Sequence, residues 1–135
     1  MGNVDLKEIL TRYQTIAVVG LSPDPAKPSH GVAAYLKRAG YRIIPVNPAC
    51  AEDILGERCY ATLAEIPGEV EIVDVFRRSE FLPEIVEQAI AKGAKVVWMQ
   101  EGVVNEAAAA TARAAGLEVV MDRCLLKEHR KVLSR

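Results

Sequence analysis

Apolar positions along this chain follow two alternating rhythms. Short continuous runs recur at Ile16–Val19, Ile43–Val46, Ile72–Phe76, Val96–Met99 and Leu117–Met121, the third and last broken only by Asp74 and Glu118. Such runs suit strands of a parallel sheet, which is buried on both faces. Between them the spacing changes to helical. Leu6, Ile9, Leu10 and Tyr13 share one face, as do Val32, Ala33, Leu36 and Ala39, and then Ile85, Val86, Ala89 and Ile90. Strands alternating with amphipathic helices predict a doubly wound, three-layer Rossmann-like α/β domain of about five parallel strands, spanning residues 1–135.

Local signals set the expected boundaries. Asp5 and Glu8 form a D-x-x-E start for the first helix. The first strand, Thr15 to Val19, ends at Gly20, where the chain must turn sharply. Ser29 is expected to cap the second helix and Gly40 to stop it from a left-handed position. Tyr41–Val46 is the second strand, with Pro45 near its exit because proline lacks a ladder donor. Residues 49–60 read as irregular, turning at Gly56, and Thr62-Leu63-Ala64-Glu65 as a capping box for a short helix ended by Pro67-Gly68. Glu71–Phe76 is the third strand, and Pro83 suits the first position of a helix that runs to Gly93. Lys95–Met99 is the fourth strand, Asn105 caps an alanine-rich helix that Gly116 closes, and Leu117–Met121 is the fifth strand. The basic tail from Asp122 ends as a helix.

Composition narrows the setting. A net charge of −1 gives no reason to expect nucleic acid or an anionic membrane as partner. No stretch is long and apolar enough to span a bilayer, and the N-terminus lacks a signal peptide's pattern, so a cytoplasmic protein with a small-molecule ligand is expected. Cys50, Cys59 and Cys124 are odd in number and show no C-x-x-C spacing, which indicates neither a disulfide framework nor a zinc site. Cys124 follows the last strand with Arg123 beside it, a neighbour that favours thiolate, although a half-buried structural cysteine is the commoner case. His30 and His129 have no metal-ligand spacing and are expected as surface histidines.

In open α/β sheets, ligands bind outside the carboxyl ends of the strands at the switch point. That rule selects Gly20, Leu21, Ser22, Lys27, Pro28, Ser29 and His30 after the first strand, and Asn47 and Pro48 after the second. It also selects Phe76, Arg77 and Arg78, then Gln100, Glu101 and Gly102, then Asp122, Arg123 and Cys124. The first loop departs from G-x-G-x-x-G, having Ser22 and Pro25 where glycines belong. Ser22, Lys27 and Ser29 could instead grip phosphate with side chains and the helix N-terminus. The second strand ends in neutral Asn47 rather than the acid of an NAD site, which removes repulsion toward a phosphorylated ribose such as that of coenzyme A or NADP. Lys27, Arg77 and Arg78 could neutralise such phosphates, with one of the two arginines expected to be a solvated surface charge. Phe76 reads as core or as an adenine platform, and Glu101 as a turn cap or a general base. No catalytic arrangement can be assembled from spacing.

Several of these stretches together resemble a family. They are Ile16 to Ser22, Lys27-Pro28-Ser29, Gly40 to Pro48, Asp74-Val75-Phe76-Arg77, Gly93 to Gly102 and Val120 to Cys124. The chain is similar to the small stand-alone CoA-binding domain proteins of bacteria, whose fold also forms the N-terminal half of the succinyl-CoA synthetase α subunit. The resemblance implies that Gly20, Leu21 and Ser22 meet phosphate and that Asn47 and Pro48 face the ribose. It further implies that Phe76 and Arg77 flank the adenine, and that Gln100, Glu101 and Gly102 line the pantetheine path. The synthetase carries its phosphorylated histidine on a second domain that this chain is expected to lack, so the resemblance implies binding of CoA or an acyl-CoA by a non-catalytic binder or sensor. Two other readings stay open. An NADP-linked reductase using the same crevice is disfavoured by the missing glycines and the absent nicotinamide-side acid or base. An interaction module with a vestigial site is disfavoured by the polar, phosphate-suited loop.

Overall fold

The structure is a computed structural model, and it describes residues 4–133. Five strands, β1 (Thr15–Val19), β2 (Arg42–Val46), β3 (Ile72–Val75), β4 (Val96–Met99) and β5 (Glu118–Val120), pair in parallel in the order β2-β1-β3-β4-β5. Side chains alternate across the sheet. Ile16, Val18, Ile43, Ile72, Val96 and Trp98 face one layer, and Ala17, Val19, Ile44, Val73, Val75 and Val97 the other. The first layer holds α1 (Leu6–Arg12), α2 (Pro28–Arg38) and α5 (Leu125–Val132). The second holds α3 (Leu82–Lys92) and α4 (Glu106–Ala114). This is the three-layer, doubly wound α/β fold that the two rhythms predict. No helix among the described residues is long and apolar enough to cross a membrane.

Most boundaries follow their local chemistry. The Asp5 carboxylate accepts from the Glu8 amide at 3.1 Å, and Asn105 Oδ1 accepts from the Ala108 amide at 3.0 Å, so both caps are made by the side chains expected. At the end of α2, Gly40 donates to the Lys37 carbonyl and Tyr41 to the Leu36 carbonyl, which is a Schellman closure around a left-handed glycine (φ +105°).

Four expectations are corrected. Ser29 does not cap α2. Pro28 starts the helix, Lys27 is the N-cap residue without a side-chain bond, and Ser29 Oγ instead accepts from the Ser22 amide at 3.0 Å. Thr62 to Glu65 makes a single 3₁₀ turn, Leu63–Glu65, with no side-chain bond from Thr62; Glu65 reaches back to the Ala61 amide instead. Pro67 and Gly68 follow too closely for a longer helix. Cys50 and Cys59 are joined in a disulfide, where three unbridged thiols were expected. Leu55 and Gly56, both at positive φ, turn the chain between Ile54 and Glu57 and bring the two cysteine Cα atoms to 6.3 Å. His129 is half-buried rather than a free surface ring, with Nδ1 2.8 Å from the Tyr35 hydroxyl. Cys124 is buried at the N-terminus of α5, as its structural reading requires.

Candidate functional site

The strand order reverses between β1 and β3, and their carboxyl ends open into a cleft. Two adjoining cavities make it. One, of about 370 Å³, lies between Gly20, the Asn47-Pro48-Ala49 turn and the Phe76, Arg77, Arg78, Phe81 side. The other, of about 270 Å³, lies between Gly20, Phe76 and the loop residues Ser22, Lys27, Pro28 and Ser29. Gly20 and Phe76 belong to both, so the two adjoin at the end of β1.

Gly20 is where the backbone geometry is most demanding. Its φ is +92°, and a Cβ placed on it would lie 3.0 Å from Arg77 Cγ and 3.3 Å from the Phe76 carbonyl carbon. Its own N–H donates to the Val46 carbonyl at 2.7 Å while Phe76 N–H donates to Val19, so three strand exits converge on one glycine. The loop that follows is closed on itself. Ser22 Oγ accepts from the Asp24 amide, Asp24 Oδ1 accepts from the Ala26 amide, and the Ser22 amide donates to buried Ser29 Oγ. These bonds stiffen a loop that carries Pro23 and Pro25 and leave Lys27 exposed at the mouth. The amino end of α2, with its partial positive charge, faces the same cavity through Pro28 and Ser29, while the His30 and Gly31 amides turn back to the Lys27 carbonyl.

On the other side, Asn47 is fixed by both ends of its amide. Nδ2 donates to the Leu21 carbonyl at 3.0 Å and Oδ1 accepts from Ala49 at 2.9 Å. The Arg77 guanidinium stacks over the Phe81 ring at 4.0 Å, and Arg78 approaches the same ring at 5.5 Å. Arg78 also pairs with Glu80 at 3.4 Å, both side chains exposed. Lys27 and Arg77 have no ion-pair partner among the described residues. The cleft thus presents cations, a helix N-terminus and two aromatic rings, with no carboxylate in its lining. That combination suits an anionic ligand with an aromatic base.

The structure brings together most of the residues singled out from the sequence, but not all. Gly20, Ser22, Lys27, Pro28, Ser29, Asn47, Pro48, Phe76 and Arg77 line the cleft. The Leu21 side chain is fully buried in the core, and only its carbonyl reaches the site's framework, through Asn47. Gln100, Glu101 and Gly102 lie outside the cleft lining, at the exit of β4. Buried Gln100 accepts from the Leu125 amide, which caps α5 from within. Glu101 pairs with Lys127 at 3.1 Å, and that contact raises the Lys127 pKa. The Gly102 amide donates to Asp122. Ala49 and Phe81 also line the cleft. Ala49 carries no chemical signal, and Phe81 sits in an unforeseen 3₁₀ turn, Ser79–Phe81, that folds its ring back under Arg77.

Residues 14–130 match the family model described as CoA binding domain. The chain belongs to this family. It is 46% identical over 125 residues to the uncharacterized protein YneT of Bacillus subtilis (strain 168), covering 93% of this chain and 92% of that one. It is 34% identical over 95 residues to the alpha subunit of an ADP-forming acetate–CoA ligase I of Pyrococcus furiosus, covering 67% of this chain and 21% of the subunit. Among solved structures, a hypothetical protein from Pyrococcus horikoshii OT3 superposes with a TM-score of 0.91 at 42% identity, covering 98% of this chain and 99% of that one. Family membership supports a CoA-binding role in general, and the homology to acetate–CoA ligase alpha subunits extends the resemblance seen in the motifs.

Proposed function

We propose that this chain binds coenzyme A, or an acyl-CoA, in the cleft at the β1–β3 switch point, and that it acts as a non-catalytic binder or sensor. The observation that carries this reading is the convergence on Gly20 of a helix N-terminus, Lys27 and the Arg77–Phe81 stack, opposite a neutral Asn47. On this reading the pyrophosphate lies over Gly20 and the Ser22–Ser29 loop, held by the amino end of α2. The ribose faces Asn47 and Pro48, and the adenine lies beside Phe76 and Arg77. The pantetheine leaves toward Gln100, Glu101 and Gly102 at the next strand exit, where those residues line its path rather than grip the nucleotide. The family and the ligase alpha subunit, named for chemistry with CoA, support the ligand class.

Isothermal titration with CoA, acetyl-CoA, NADP and NAD tests the reading. CoA and acetyl-CoA should bind with similar affinity, and NADP about tenfold or more weakly, a gap of roughly 1.4 kcal/mol. NADP binding tighter than CoA would favour the reductase reading instead. Absence of heat with all four would leave the crevice without a nucleotide role.

A further inference from the structure

The Cys50–Cys59 pair plays no part in the ligand reading, yet it adjoins the cleft directly. Cys50 follows Ala49, and Asn47, Pro48 and Ala49 form one wall of the larger cavity. The wall is held unevenly. Asn47 is fixed by Leu21 and by the Tyr60 backbone, since Asn47 N–H donates to Tyr60 and Tyr60 N–H donates to Pro45. Beyond residue 53, the Ile54–Glu57 turn is fastened to α2 by Lys37, which donates to the Leu55 carbonyl and pairs with Glu57 at 3.1 Å. Between these anchors, the hydrogen bonds of residues 48–53 among the described residues are local ones, from Ala49 and Cys50 back to Asn47. The covalent bond from Cys50 to Cys59 is what ties this span to the rest of the domain. Both cysteines are partly exposed, so a small reagent can reach them.

We infer that Cys50 and Cys59 are a reversible thiol–disulfide site whose state sets the order of the Pro48–Ala49 wall and, through it, the affinity of the cleft; the affinity part rests on the CoA-binding reading. The reagent class is a low-molecular-weight disulfide, RSSR. A thiolate at either cysteine attacks one sulfur of RSSR, breaking the reagent's S–S bond, forming a mixed disulfide and releasing RS⁻. The second protein thiolate then attacks the protein sulfur of that mixed disulfide, closes the Cys50–Cys59 bond and releases the second RS⁻. The dithiol loses two electrons and two protons, and RSSR becomes two RSH. A sequence separation of 9 makes the second step a short-loop closure, faster than capture of another protein's thiol at ordinary concentration. Closing the loop orders the wall before ligand arrives, so less ordering remains to be done on binding.

The test compares the full chain in two states, reduced with a phosphine and desalted, or reoxidised with glutathione disulfide. Alkylation and peptide mass spectrometry read the pair, amide hydrogen exchange reads residues 49–53, and titration reads CoA affinity. Oxidation should close Cys50–Cys59, slow exchange at residues 49–53, and tighten CoA binding about threefold, as expected for one pre-ordered turn. Cys50→Ser should form no internal bond and take up the oxidant only as a mixed disulfide at Cys59, with exchange at residues 49–53 staying as fast as in the reduced wild type. Failure of the bond to form, or identical exchange in both states, overturns the inference. Slower exchange with equal CoA affinity overturns its affinity half. If exchange responds and CoA binds neither state, the thiol site stands and the CoA reading is what falls.

Discussion

Asp74 occupies the most demanding position of any single residue here. It sits in the centre of the sheet, between Val18 and Trp98, on the face packed by Ile16, Ile72 and Val96. It is fully buried, and neither carboxyl oxygen has a hydrogen-bond partner among the described residues. The one indole N–H nearby in the sheet register, that of Trp98, is already donated to the Arg123 carbonyl. Burial therefore pushes the Asp74 pKa well above its ordinary value. A carboxyl group whose folded pKa is raised binds more protons folded than unfolded, so its contribution to stability is intact below the unfolded value and is lost as pH rises toward the folded one. Replacing it with its neutral isostere removes that loss. Asp74→Asn should be more stable than wild type in urea unfolding at pH 8, and the two should converge as pH falls toward about 4, the ordinary carboxylate range. A gap that stays constant across that range would mean Asp74 is not the titrating group.

At the scale of the elements, the parts legible in the sequence are those set by near neighbours in the chain. The strand runs appear because both sheet faces are covered, so each run is apolar throughout. The Asp5 and Asn105 caps and the Gly40 closure appear because three or four residues suffice to make them. What was not legible depends on distant partners. Ser29 has the residue type and place of a cap, but the amide seven residues back at Ser22 claims its hydroxyl. The cysteine bridge depends on a two-residue turn with Leu55 at positive φ, which a leucine gives no reason to expect. In the site, the β1, β2 and β3 exits were legible because the fold class dictates where they converge. Phe81 was not, because its ring turns back through a 3₁₀ segment to meet Arg77. The docking of α5 is a further case. His129 packs edge-on to Tyr35 and Tyr41, and its Nδ1 lies 2.8 Å from the Tyr35 hydroxyl, from which it accepts in the tautomer that carries the proton on Nε2. Burial lowers the His129 pKa, so the folded state keeps the ring neutral. Stability from this helix contact is then present above the ordinary histidine range and declines as pH falls through it toward the lowered folded value. Tyr35→Phe should cost about 1 kcal/mol at pH 8, the net worth of one hydrogen bond, and less at an acid pH below the folded ring's own midpoint, where the protonated ring no longer accepts. Urea unfolding at the two pH values, with NMR titration of the His129 ring, checks both the cost and its pH dependence; an equal cost at both would assign the effect to packing alone.

For the molecule as a whole, the charges matter by where the sheet puts them. The chain is nearly neutral, with 17 basic and 18 acidic residues, so no long-range field draws an anion to it. The attraction in the cleft is local, and the two sides of Gly20 supply it differently. Lys27 and the amino end of α2 stand on the loop side, and Arg77, held by its stack on Phe81, stands on the side of Asn47 and Pro48. In the proposed pose the loop side meets the pyrophosphate, which CoA and dephospho-CoA share. The Arg77 side meets the ribose 3′-phosphate, which dephospho-CoA lacks. Wild-type protein should therefore prefer CoA over dephospho-CoA by about 1.5–3 kcal/mol, the worth of one charge-assisted contact. Lys27→Ala should weaken both ligands alike, keep their ratio, and flatten the salt dependence of binding, since an exposed lysine acts through a screened charge. Arg77→Ala should instead erase most of the preference, weakening CoA more than dephospho-CoA, which loses only the contact beside the adenine. Titration of the two ligands against the three proteins at low and high salt measures all of this together. Equal affinities in the wild type would remove the 3′-phosphate from the argument, and a preference that vanished with Lys27 but survived without Arg77 would turn the ligand end for end in the cleft.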